Sequence, residues 1–159
     1  MKTAVVYYSC DGNCAFTAEQ IKGQLNADLI RLELVNEKRR SGFAKYFFGG
    51  GEAIMGKKPA LKPYNFDPAT YDMIILGTPV WAGSPAPAMR SFLSQTKISG
   101  KKLALFICYG GGKGKVMDKL RALLQGNTIV SEADFIEPAR KNPEEQKKRI
   151  IDWAKTITA

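Results

Sequence analysis

Histidine is missing from this 159-residue chain, and cysteine occurs only three times, at Cys10, Cys14 and Cys108. Without histidine there is no His-dependent catalytic triad and no Cys/His zinc site. Three cysteines are too few, and odd in number, for a disulfide framework, and the C-x3-C spacing of Cys10 and Cys14 is not a redox C-x-x-C. No apolar run approaches the roughly 20 residues that span a bilayer, so no membrane insertion is expected. The first residues, "MKTAVVYYSCDG", carry one Lys and a short apolar run without a small-residue cleavage site. They read as a first strand and not a signal peptide, and a cytoplasmic location is expected. Acidic residues are also in the minority, 15 against 24 Lys and Arg, for a net charge of +9. That balance concerns partners and solubility rather than fold. The basic residues are scattered over "NEKRR", "GKKP", "GGKGKV" and "QKKRI" without a nucleic-acid-binding motif, so nucleic acid is not expected as a partner.

What the chain does have is an alternation of strand and helix patterns from end to end. Residues 3–8, 72–77 and 102–108 are continuous apolar runs, as in strands buried on both faces. Residues 28–34 alternate, and 128–137 are mixed, so both suit sheet edges. Helical spacing predicts helices near 13–26, 85–97 and 113–125. A last helix starts with Asn142 as cap, Pro143 at the first position and Glu145 reaching back, with Ile150, Trp153 or Ala154, and Ile157 as its buried stripe. Five strands with the second and fifth at the edges match a doubly wound α/β parallel sheet of order 2-1-3-4-5, with helices on both faces. The whole chain, 1–159, reads as one domain. An irregular aromatic and Gly-rich insertion at about 36–70 replaces a crossover helix. A short helix near 42–55 and an extended return are expected there.

Ligands of open α/β sheets bind beyond the carboxyl ends of the strands, at the switch point of the order. Three loops meet there. "SCDGNC" offers the Ser9 hydroxyl, Gly12 and the first amides of a helix, which favour a phosphate. "TPVWAGSPAP" holds Trp81 between Pro79, Pro85 and Pro87, a stiff loop suited to stacking on a planar ligand. "YGGGKGK" sets Tyr109 beside three glycines that let backbone approach a flat ring. Each loop alone also fits a plain structural role: a capped turn, an indole plugging the sheet end, a flexible connection. Together they describe a site with a phosphate end and a flat, aromatic-lined end, and flavin mononucleotide (FMN) fits both.

The sequence resembles the flavodoxin family. "VVYYS-x-x-GN" is similar to that family's phosphate loop, "ILGTPVWAGSPAP" followed by "MRSFL" to its second flavin loop, and "ALFICYGGGKGK" to its third. A subgroup with an acidic residue in the phosphate loop, "S-x-E-G-N-T", and a later "GGG-K-G-K" is the one it most resembles. The resemblance implies a flavodoxin-like fold, bound FMN, no catalytic acid or base, and electron transfer between redox proteins. Its phosphate loop spans Ser9, Cys10, Asp11, Gly12, Asn13 and Cys14, of which Ser9, Gly12, Asn13 and Cys14 are implied to hold the phosphate. Pro79, Val80, Trp81, Ala82 and Gly83 would border the ring, with a carbonyl near Ala82–Gly83 accepting from reduced flavin. Tyr109, Gly110, Gly111 and Gly112 would line its other side. The alternative is an enzyme of the same fold, an NAD(P)H-dependent FMN or quinone reductase.

Two departures from the family pattern matter. Cys14 offers only a weak S–H donor. Asp11 cannot donate to a phosphate while ionised and repels it. The holding therefore falls to backbone amides, Ser9 and Asn13. Asp11 is expected to turn outward or cap its helix, with Lys113 or Lys115 offsetting its charge. A basic protein should also prefer acidic redox partners. It should show a less negative second reduction potential than an acidic flavodoxin.

Overall fold

The computed structural model describes residues 1–37 and 58–159. The helix expected near 42–55 lies outside the described residues. In chain order the strands are β1 (Thr3–Tyr7), β2 (Asp28–Arg31), β3 (Met73–Trp81), β4 (Ser84–Pro85), β5 (Lys102–Tyr109) and β6 (Thr128–Ile136). The helices are α1 (Asn13–Leu25), α2 (Pro87–Gln95), α3 (Val116–Leu123) and α4 (Pro143–Ile157). Five strands pair in the order β2-β1-β3-β5-β6, all parallel. This is the doubly wound order, with one addition. β4 is a short sixth strand, antiparallel to β3.

The three continuous apolar runs are the three central strands, and period-2 alternation sorts their side chains between two cores. Val5, Tyr7, Met73, Ile75, Ala104, Phe106 and Cys108 pack with Ala18 and Ile21 of α1 and Ile150, Ala154 and Ile157 of α4. Ala4, Val6, Ile74, Leu76, Leu103, Leu105 and Ile107 pack on the other face with Met89 and Phe92 of α2 and Val116 and Leu120 of α3. Each large aliphatic or aromatic side chain so buried contributes about 1.5–3 kcal/mol. Within β3, Gly77 makes room for a neighbour. A Cβ there would lie 2.0 Å from the Phe106 ring, and Phe106 is fully buried.

The edges are less regular. β2 stops at Arg31, short of the expected Leu34. Leu34 instead bridges Leu61 antiparallel, with Val35 N–H donating to the Ala60 carbonyl, the expected extended return. On the other edge the β5–β6 register slips between Leu103 and Ala104, which oppose Ile129 and Ser131. Val130 is the extra residue, and it is exposed. Such a bulge moves every later side chain to the opposite face. Ser131, Ala133 and Phe135 therefore turn toward α4, where the Trp153 indole N–H donates to Ser131 Oγ at 2.8 Å. The predicted cap of α4 is not formed. Asn142 adopts a left-handed backbone (φ 50°), and its side chain accepts no helix amide. Ala154 fills the buried stripe, and Trp153 is half-buried.

Candidate functional site

The loops after β1, β3 and β5 leave the carboxyl ends of the central strands at the point where the order reverses. In the first, Ser9 is buried and its hydroxyl oxygen accepts from Gly12 N–H at 3.2 Å. Gly12 has φ 94°, a conformation that favours glycine, and a Cβ there would meet nothing within 4 Å. The turn is open at Gly12, and the first amides of the α1 helix that follows lack intrahelical acceptors. Asp11 Oδ1 accepts from Asn13 N–H at 3.2 Å. The carboxylate serves its own helix start, at an amide an anion would also use.

Asn13 is buried, and its Oδ1 accepts from Ala139 N–H at 3.0 Å. The turn is thereby tied to the segment after β6, and any donation from the Asn13 side chain falls to Nδ2. Cys14 points into the sheet. Its thiol lies buried against Cys108, and burial first, then that neighbour, pushes its pKa well above the usual thiol value. A phosphate at the turn would meet the Cys14 backbone and not its sulfur. Thr17 joins the same buried group, donating to the Asn13 carbonyl and lying 3.5 Å from Cys108 Sγ. Cys10 is half-buried against the core on the α2/α3 face. Arg31, absent from the sequence-based set, donates to the Ser9 carbonyl at 3.2 Å and brings a cation to the turn.

The second loop is a hairpin. Val80 pairs with Pro85 and Trp81 with Ser84, leaving Ala82 (φ 50°) and Gly83 (φ 71°) as a two-residue turn. Positive φ at both positions is the primed geometry that matches strand twist. Thr78 Oγ1 staples its base, donating to the Pro79 carbonyl and accepting from Ala86 N–H. Trp81 is half-buried and meets Tyr8 edge-on, with centroids 6.0 Å apart. Tyr8 is itself buried and donates to Glu37 at 2.6 Å.

The third loop carries half-buried Tyr109, then Gly110, Gly111 and Gly112, all exposed. Tyr109 O–H donates to Asp134 Oδ1 at 3.1 Å, and Lys113 Nζ reaches Asp134 Oδ2 at 3.1 Å. Burial, then the Asp134 hydrogen bond, raises the Tyr109 pKa, and Asp134 raises that of Lys113. Lys113 thus pairs with Asp134 and not with Asp11. The second and third loops touch backbone to backbone. A Cβ on Gly114 would lie 2.8 Å from Gly83 Cα. Lys119 of α3 adds a 2.7 Å hydrogen bond to Ser84 Oγ.

A donor-rich helix start, an open glycine turn and half-buried aromatic side chains on the two neighbouring loops suit a ligand with an anion at one end and a flat ring at the other. Together with the sheet order they define a flavodoxin-like FMN-binding protein. A family model described as NADPH-dependent FMN reductase matches residues 1–137. The chain belongs to that family, and FMN is the cofactor the family binds. Among solved structures, it is similar to a flavoprotein in complex with FMN from Lactobacillus acidophilus NCFM. Identity is 23%, with 96% of this chain and 98% of that one covered, at TM-score 0.74. The apo-form of the flavoprotein from the same organism matches at 26% identity, covering 88% and 95%, with TM-score 0.65. Oxidised flavodoxin 2 from Bacillus cereus matches at 18% identity, covering 99% and 98%, with TM-score 0.61. Among the described residues no helix is long and apolar enough to cross a membrane, and no group of three or more His, Cys, Asp or Glu is placed to hold a metal.

Proposed function

We propose that this protein is an FMN-dependent electron carrier that passes electrons between redox proteins. The observation that carries the reading is the convergence of the three loops at the switch point, with Gly83 against Gly114 fixing the hairpin to the glycine loop. Backbone amides at the start of α1 and the Ser9 hydroxyl would hold the phosphate. Trp81 and Tyr109 would wall the ring, with Pro79–Gly83 and Gly110–Gly112 as its borders. Bound FMN accepts and donates one or two electrons. The protein's part is to bind, orient and shield it.

The net charge of +9, with Lys115 and Lys119 exposed beside the hairpin, supports an acidic redox partner. Opposite charge speeds docking and makes its rate salt-dependent. Three free thiols support a reducing compartment such as the cytoplasm.

A second reading, an NAD(P)H-dependent reductase, is favoured by the family match itself. One experiment separates the two. The purified protein is loaded with FMN and mixed anaerobically with NADPH. Under the carrier reading the flavin absorbance bleaches slowly unless a reductase is added. Rapid bleaching by NADPH alone establishes the reductase. A protein that does not bind FMN defeats both.

A further inference from the structure

The glycine loop between β5 and α3 is exposed along its length. A cleft of about 330 Å³ lies where the end of this loop and the start of α3 face β6, lined by Lys113, Lys115 and Val116 and by Ile107, Glu132 and Asp134 of the strands. Residues 110–115 are all exposed, so side-chain packing does not hold them in place. Backbone bonds fix its two ends, the Glu137 side chain lies beside Gly110 and Gly114 meets Gly83, and the side-chain hydrogen bonds to the loop converge on Asp134 from Tyr109 and Lys113.

Asp134 is available for this only because of the bulge at Val130. Before the bulge, Ile129 packs on the α2/α3 core. Uninterrupted alternation would keep the odd-numbered residues on that face and turn Asp134 toward α4. After the slip, Ala133 and Phe135 belong to the α4 core, and Asp134 meets the side chains of Tyr109 and Lys113. The ammonium of Lys113 also sits 5.8 Å from the Tyr109 ring centroid, so the three groups form one unit.

We infer that Asp134 is a positioning residue for FMN: it fixes the Tyr109 ring and anchors Lys113, and so holds the glycine loop in its flavin-binding shape before the cofactor arrives. The inference rests on the FMN reading. A loop ordered in advance binds without the cost of ordering it at the moment of binding. The charge on Lys113 enters as an anchor and not as a phosphate ligand.

The test compares wild type with Asp134→Ala, Asp134→Asn and Tyr109→Phe. FMN affinity is measured by fluorescence titration, residual emission is read on the bound flavin, and tryptic cleavage after Lys113 or Lys115 is timed in flavin-free protein. Asp134→Ala is expected to weaken FMN binding about tenfold, to raise the emission of bound flavin and to speed cleavage. Asp134→Asn keeps an acceptor for the tyrosine and should fall between. Adding Tyr109→Phe to Asp134→Ala should cost little more, since the two act as a unit. Unchanged affinity and emission in Asp134→Ala, in a protein whose wild type binds FMN, overturn the inference. Should the alanine variant fail to fold, Asp134→Asn and Tyr109→Phe decide by the same readouts. A wild type that refuses FMN defeats the underlying reading instead, and unchanged cleavage rates then reject the anchoring role as well.

Discussion

Replacing Gly114 by alanine tests how the site is closed. The new Cβ would stand 2.8 Å from Gly83 Cα, a backbone atom that cannot rotate away, and Gly114 has φ 55°. A left-handed conformation costs a residue with a Cβ about 1–2 kcal/mol. Overpacking costs about 1–3 kcal/mol more. The glycine loop is exposed, so in the flavin-free variant the added methyl is expected to push it aside and relieve most of this strain. FMN must then draw it back against the hairpin. We expect about 2 kcal/mol to appear in binding, or about 30-fold in Kd. The melting temperature without FMN should fall by less than about 4 °C.

Gly100→Ala is the control for this. It has the same kind of backbone, φ 70°, open space around its Cβ and a place at the amino ends of the strands. It should lower stability by about 1–2 kcal/mol and leave Kd unchanged. Fluorescence titration and thermal melting of both variants decide the matter. Wild-type affinity in Gly114→Ala, or equal weakening in Gly100→Ala, refutes the contact between loops as a determinant of binding.

Three other outcomes are expected. Gly77→Ala drives a Cβ into the Phe106 ring, which is backed by Trp153. It should cost about 1–3 kcal/mol, a drop of roughly 2–12 °C in melting temperature, and Phe106→Leu in the same chain should recover part of it. Asp11→Thr removes a carboxylate from the Asn13 amide and should tighten FMN binding about 5- to 20-fold at low salt, less at high salt; weaker binding in a titration at two ionic strengths would show a structural need for the carboxylate. Tyr109 holds its proton more tightly folded than unfolded, because of burial and then Asp134. Its stabilising contribution is full below the ordinary tyrosine pKa of about 10 and is lost as pH rises through the folded value, so wild type should lose more melting temperature than Tyr109→Phe between pH 9 and about 11.

The central strands were legible because they are apolar on both faces, and burial on both faces needs no partner to be named. The three loops were legible because glycine, proline and aromatic residues cluster at strand ends. Other features depend on which residues oppose each other. The mixed pattern of 128–137 conceals a bulge at Val130, and only the pairing with Leu103 and Ala104 reveals it. The side to which Asp134 turns therefore cannot be read from the pattern alone. Ala82 gave no sign of a left-handed turn, since alanine has no preference for one. The hydroxyl of Ser9 and the side chain of Asn13 were expected to meet an anion, and the carboxylate of Asp11 to turn outward or cap its helix, as its bond to the first helix amide does. Their bonds to Gly12, Asn13 and Ala139 come from a local turn and from a segment far along the chain.

That last bond has a bearing on how the protein matures. Asn13 and Ala139 are 126 residues apart, and α1 and α4 share one core. Synthesis delivers the amino-terminal part first. The turn that begins the site thus emerges from the ribosome well before the segment that braces it. That brace forms only once the last βα unit has docked, so the turn gains its full set of bonds after the carboxyl-terminal part has found its place.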